Sequence, residues 1–172
     1  MNTGAQPRLA PARRGPAATT LFALVAFISF AAIAAALVSQ HRFGMMPCPW
    51  CVLQRLLFLK LGVLAFIGLA WRSLWGTRIC AVLAMLVAGT GAVTALWQHF
   101  VASRSQSCNL TLADRLMSMT GLDTWLPAVF EAKASCADAA VDLFGVPYPF
   151  WSLALFLLAG AAMLTALLQA RR

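Results

Sequence analysis

Four stretches of this chain are too long and too apolar to be folded in water as separate surface elements. They cover residues 20–40, 52–71, 79–98 and 150–169. A hydrocarbon core about 30 Å thick is crossed by about 20 residues of helix, at about 1.5 Å of rise per residue. Backbone amides in lipid must find partners inside their own segment, so each stretch is predicted to be a helix. The expected fold class is an all-α membrane protein, a four-helix transmembrane bundle with a short and a long loop on one side. Composition agrees: 62% of residues are hydrophobic and 10% charged, against about 25% charged in an ordinary soluble domain. That excludes a disordered chain and a water-soluble globule of this size. Small residues within the stretches (Ala31, Ala35, Gly62, Ala84, Ala88, Gly89, Gly160) suit close helix packing in lipid. No period of about 20–50 residues recurs, which excludes a solenoid.

Charge sets the expected orientation. The 13 basic residues outnumber 5 acidic ones. Arg8, Arg13 and Arg14 precede the first span, Arg72 and Arg78 join the second to the third, and Arg171 and Arg172 end the chain. All five acidic residues (Asp114, Asp123, Glu131, Asp138, Asp142) fall between the third and fourth spans. The positive-inside rule then puts the tail 1–19, the link 72–78 and the tail 170–172 in the cytoplasm. Loops 41–51 and 99–149 face outward. Residues 20–40 also resemble a secretory signal, with Ala32-Ile33-Ala34 as a cleavage site. Their apolar run is longer than a signal core of about 7–15 residues, which favours a retained span. No cluster of Lys and Arg with interleaved aromatics points to a nucleic-acid partner.

Four of the five cysteines (Cys48, Cys51, Cys108, Cys136) lie in the two outward loops, where disulfides persist. The fifth, Cys80, sits near the cytoplasmic end of the third span and reads as a small buried residue. Cys48-Pro49-Trp50-Cys51 is the sharpest local signal. A two-residue spacer lets two thiols close a small ring, and a helix start beside them favours thiolate through its free N–H groups and dipole. Zinc needs further ligands at close spacing, and Cys108 and Cys136 have no such companions, so no metal is expected. A structural disulfide is the alternative to a redox-active pair.

Arg55 follows Cys51 by one helical turn. At about 100° per residue, Cys51, Arg55, Phe58 and Gly62 share one stripe. A cation just inside the bilayer is costly and usually functional; beside Cys51 it would stabilise a thiolate or the oxygen of a bound carbonyl, unless it only snorkels. Lys60 falls on the opposite face and is not grouped with the site. In the long loop, Leu110, Ala113, Leu116 and Met117 follow helical spacing, as do Leu126, Val129 and Phe130 beside Trp125. Such pieces suit a membrane surface. A disulfide closing about 29 residues between Cys108 and Cys136 would contribute about 3.6 kcal/mol on the chain-entropy account. A staple and a redox relay both remain open for that pair.

These features resemble the disulfide-bond-formation protein B (DsbB) family, the quinone-coupled oxidases of the bacterial inner membrane. The resemblance runs from about residue 20 onward and rests on Cys48-Pro49-Trp50-Cys51-Val52-Leu53-Gln54-Arg55, Trp125-Leu126-Pro127, Cys136-Ala137, Phe144-Gly145 and Pro149-Phe150-Trp151. It implies a thiol:quinone oxidoreductase, with Cys48, Cys51, Cys108 and Cys136 as the redox residues. A reduced DsbA-like, thioredoxin-fold oxidase of the periplasm would attack Cys108 of a Cys108–Cys136 disulfide. Cys48 and Cys136 would then exchange, and Cys51 would pass two electrons to ubiquinone, or to menaquinone, from the membrane pool. Arg55 and His99 would contact the quinone. The absence of a dinucleotide fingerprint or a haem-attachment motif leaves quinone as the fitting acceptor. Competing readings are a paralogue serving a dedicated thiol oxidase and a non-catalytic, disulfide-stapled tetraspan scaffold. A vitamin K epoxide reductase-like enzyme carries its CxxC toward the chain end, unlike this sequence.

Overall fold

A computed structural model describes residues 16–71, 73–104 and 111–170. Cys108, Leu110 and the basic residues Arg8, Arg13, Arg14, Arg72, Arg171 and Arg172 lie outside the described residues. In chain order the elements are α1 (Pro16–Phe43), α2 (Pro49–Ala70), α3 (Leu74–Phe100), α4 (Leu112–Thr120), α5 (Leu122–Trp125) and α6 (Pro127–Phe130). Strands β1 (Asp142–Leu143) and β2 (Val146–Pro147) follow, and α7 (Tyr148–Gln169) completes the chain's described part.

Helices α1, α2, α3 and α7 are each long and apolar enough to cross a membrane. They form a four-helix bundle in which α1 and α3 each pack against both α2 and α7. Short connections between α1, α2 and α3 make successive helices antiparallel neighbours. Cap chemistry sets two of the starts. Cys48 is the N-cap of α2 with Pro49 in the first turn, where a missing N–H costs nothing. The Ser73 hydroxyl accepts from Gly76 N–H at 3.0 Å, so α3 takes in Leu74–Arg78 ahead of the apolar segment 79–98. At that same end, Arg78 donates to the Ala170 carbonyl at 2.9 Å and ties α3 to the end of α7.

Phe22, Leu61, Phe156 and Met163 fill the centre of the bundle, and Phe58 stacks on Phe156 with ring centroids 4.0 Å apart. Glycine decides how closely helices meet. At Gly68 and Gly91 a Cβ would run into the rings of Phe22 and Phe156 respectively. Ala84 and Ala88 are buried, with Ala88 against Gly160. Ala31, Ala35 and Gly89, expected at helix contacts, are instead exposed. Large apolar side chains point away from the bundle: Phe27 is 72% exposed and Trp75 71%. Patches of that kind are tolerated in hydrocarbon and not in water.

The long loop folds onto one end of the bundle. Thr111 and Asp114 form a reciprocal capping box at the start of α4, and Gly121 ends that helix with φ +66°. Ala113, Met117 and Phe130 turn inward and are buried, with α4 and α6 resting on α2. Leu116, Trp125 and Leu126 remain exposed. The β1–β2 hairpin turns at Phe144 and Gly145, both at positive φ, as a tight two-residue turn demands.

Candidate functional site

The site is built on the first turn of α2. A helix leaves its first N–H groups without internal partners. Here Pro49 has no N–H to satisfy, and Cys51 N–H donates to Cys48 Sγ at 3.3 Å. Trp50 N–H is directed to Cys136. One helix terminus therefore serves two sulfurs, one of them from the distant loop. The loop is brought there by backbone: Lys133 N–H and Ala134 N–H both donate to the Pro47 carbonyl, at 2.9 and 3.2 Å. Cys136 thus reaches Cys48 across 88 positions of sequence.

Cys48 is fully buried and faces both neighbours, with its sulfur 2.8 Å from that of Cys51. Hydrogen bonds with Cys136 and Cys51, together with burial, push the Cys48 thiol above the ordinary thiol range. Cys136 moves oppositely: the hydrogen bond from Cys48 outweighs burial, and Trp50 N–H adds to it, holding this thiol low. Cys48 accordingly keeps its proton in the reduced trio, while Cys136 loses its own more readily. Cys80 is buried far along α3, about 27 Å by helical rise from the level of Gln98, and Lys60 is exposed on α2.

Cys51 faces a cavity of about 760 Å³ that Cys48 does not line. Arg55, Phe58, Gln54, Ser39 and Tyr148 share its wall with Cys51. Arg55 is 6% exposed. Its guanidinium donates to Gln40 Oε1 at 2.7 Å, to the Val129 carbonyl at 2.9 Å and to the Ala36 carbonyl at 3.4 Å. Gln40 in turn donates to the Ala128 carbonyl at 3.4 Å. The cation is held by neutral dipoles from α1 and α6, and among the described residues the one ion pair, Lys133–Glu131, is elsewhere. A buried cation without a carboxylate can still take up a developing anion. The site thus offers a thiol and a positive charge to one pocket within the size range of small-molecule sites.

His99 is the other residue expected to contact a quinone. It packs between Phe100 and Phe150, with ring centroids 4.9 and 4.6 Å away, and is not part of the wall shared by Cys51 and Arg55. The preceding residue, about 100° round the helix, points at the sulfurs instead. Gln98 Nε2 donates to Cys51 Sγ at 3.1 Å and lies 3.5 Å from Cys48 Sγ, while its Oε1 accepts from Gln54 Nε2 at 2.6 Å. Sequence reasoning missed Gln40, Gln54 and Gln98. The available signal was an amide side chain within an otherwise apolar helix, which in a membrane requires an internal partner.

Comparisons with known proteins find relatives over most of the chain. A family model described as disulfide bond formation protein DsbB matches residues 18–166. The chain is 32% identical over 156 residues to a disulfide bond formation protein B of Ralstonia nicotianae, covering 88% of this chain and 94% of that protein. It is 31% identical over 152 residues to one of Burkholderia pseudomallei, with 88% and 90% covered. A third, of Nitrosomonas europaea, is 29% identical over 140 residues, with 80% and 85% covered.

Proposed function

The chain belongs to the disulfide bond formation protein DsbB family, and from that premise we propose that it is a thiol:quinone oxidoreductase of the bacterial inner membrane. In this reading it re-oxidises a periplasmic DsbA-like, thioredoxin-fold oxidase and drives disulfide formation in exported proteins. Both termini are cytoplasmic and the loops 41–51 and 99–149 are periplasmic. One observation carries the reading: Cys51 and the buried Arg55 face a common cavity, whereas Cys48 faces Cys136.

Electrons then move by successive thiolate attacks on disulfides. A thiolate of the reduced partner attacks Cys108 in a Cys108–Cys136 disulfide, and the electron pair leaves on Cys136. The Cys136 thiolate attacks Cys48 of a Cys48–Cys51 disulfide, and Cys51 leaves as thiolate. The partner's second thiol frees Cys108, which attacks Cys136 and releases Cys48. The partner is now oxidised, the Cys108–Cys136 disulfide is restored, and two electrons reside on Cys48 and Cys51.

The cavity fits a quinone ring by its composition: Phe58 and Leu155 give apolar walls, and Arg55 gives a cation for a carbonyl oxygen. When bound, ubiquinone or menaquinone supplies an acceptor of two electrons and two protons. Cys51 presents its sulfur to that space, Arg55 stabilises negative charge there, and the loop helices α4 and α6 cover the end of α2.

The test mixes purified protein, a reduced thioredoxin-fold oxidase and a soluble quinone, and follows quinone absorbance. Turnover should vanish for Cys48→Ser, Cys51→Ser, Cys108→Ser and Cys136→Ser and persist in Cys80→Ser. Undiminished turnover in Cys51→Ser would remove the proposed route, and inactivity of the wild-type protein would favour the stapled scaffold.

A further inference from the structure

We propose that Gln98, with its amide oriented by the positioning residue Gln54, is a hydrogen-bond donor shared by the two sulfurs of the CxxC pair and makes that pair a stronger oxidant. The inference deepens the relay reading and rests on it for its place in turnover, though not for its test.

The geometry has three parts. First, Gln54 and Gln98 are both 4% exposed, on α2 and α3 respectively, so neither amide has bulk water as an alternative partner. Second, Gln54 Nε2 donates to Gln98 Oε1 at 2.6 Å. That contact occupies the oxygen end of Gln98 and leaves its NH₂ group to face the sulfurs. Third, that one NH₂ group reaches both, Cys51 Sγ at 3.1 Å and Cys48 Sγ at 3.5 Å. An NH₂ group carries two donors, enough for one to each sulfur.

The sharing has a chemical consequence. When the Cys136 thiolate attacks Cys48 of the Cys48–Cys51 disulfide, the Cys48–Cys51 bond breaks and its electron pair leaves on Cys51. When Cys108 later attacks Cys136, the Cys48–Cys136 bond breaks and the pair leaves on Cys48. A donor within reach of both sulfurs meets the leaving charge in either step without moving. Hydrogen bonds to an ion are roughly twice as strong as neutral ones, so the amide favours the thiolate over the disulfide. A pair whose reduced form is stabilised is the more oxidising. Arg55 acts on the same space through its charge and not by a hydrogen bond to sulfur, since its guanidinium donates to oxygens of Gln40, Val129 and Ala36.

The test needs neither quinone nor a partner oxidase, so it can fail or succeed independently of the relay. In full-length protein carrying Cys108→Ser and Cys136→Ser, two quantities are read for the Cys48–Cys51 pair. One is the alkylation rate of Cys51 by iodoacetamide at pH 7, from peptide mass spectrometry. The other is the equilibrium of the pair with glutathione. Gln98→Met keeps the length and removes the donor; Gln54→Met, Gln98→Met together leave no orphaned amide. Both should alkylate about tenfold more slowly and shift the equilibrium about tenfold toward disulfide, which is about 30 mV for a two-electron couple. Gln54→Met alone should shift both readings the same way by a smaller factor. Folded variants with wild-type rate and equilibrium overturn the proposal. A double variant that loses its helices also overturns it, because the amides would then join α2 to α3 without tuning sulfur.

Discussion

Replacing Arg55 by methionine separates a structural cation from a functional one. The guanidinium makes contacts of 2.7, 2.9 and 3.4 Å to carbonyl oxygens on two elements, α1 and α6. Losing such bonds costs about 1.5–3 kcal/mol each, while removing a desolvated charge returns several kcal/mol. The two nearly cancel, so the melting temperature of Arg55→Met should move by only a few degrees. Its effect on chemistry should not cancel. Side chains one turn apart on a helix lie about 6 Å from each other, and a unit pair at that distance interacts by about 2.8 kcal/mol at an effective dielectric constant of about 20. That corresponds to about a hundredfold in rate if the charge on sulfur or on the acceptor oxygen develops in the transition state. Quinone reduction by Arg55→Met should therefore fall about a hundredfold in kcat/KM. Arg55→Lys, which keeps the charge but not the planar fork, should lose about tenfold. The assay is quinone absorbance with kcat and KM resolved, beside thermal unfolding in the same detergent. Wild-type kinetics in Arg55→Met, or inactivity that simply tracks unfolding, would refute the reasoning.

Three further outcomes follow from the geometry. Cys136 is held below the ordinary thiol range first by Cys48, so its thiolate forms at lower pH than a free cysteine's. In Cys48→Ala the alkylation profile of reduced Cys136 should shift to higher pH, as peptide-resolved rates would record. His99→Ala should change the quinone KM less than Arg55→Met does, because its ring contacts are Phe100 and Phe150; steady-state kinetics compares them. Gly91→Val should destabilise the bundle by about 1–3 kcal/mol through overpacking against Phe156, which denaturant unfolding in detergent would measure.

The bundle was legible because four apolar segments in a chain this short leave few alternatives. The stripe of Cys51 and Arg55 was equally legible, since helical spacing alone puts residues four apart on one face. Other parts depend on tertiary contacts that no local pattern encodes. Nothing near Pro47 announces that its carbonyl receives Lys133 and Ala134 N–H, yet that pairing carries Cys136 to the end of α2. Gln98 and His99 are adjacent in sequence, and only the rotation of α3 against α2 decides which of them meets sulfur. Hydropathy likewise undercounted α3, whose start depends on the Ser73 cap. The exposed Ala31, Ala35 and Gly89 illustrate the same limit, for smallness permits helix contact without selecting the side on which contact occurs.

The division of labour between the two neighbouring sulfurs is tested most directly by mapping which of them can bridge to the loop. After mild oxidation, non-reducing peptide maps of two double variants should differ. Cys51→Ala with Cys108→Ala should yield a Cys48–Cys136 disulfide, whereas Cys48→Ala with Cys108→Ala should leave Cys51 and Cys136 unlinked. A Cys51–Cys136 bridge forming as readily as the Cys48–Cys136 bridge would contradict the account.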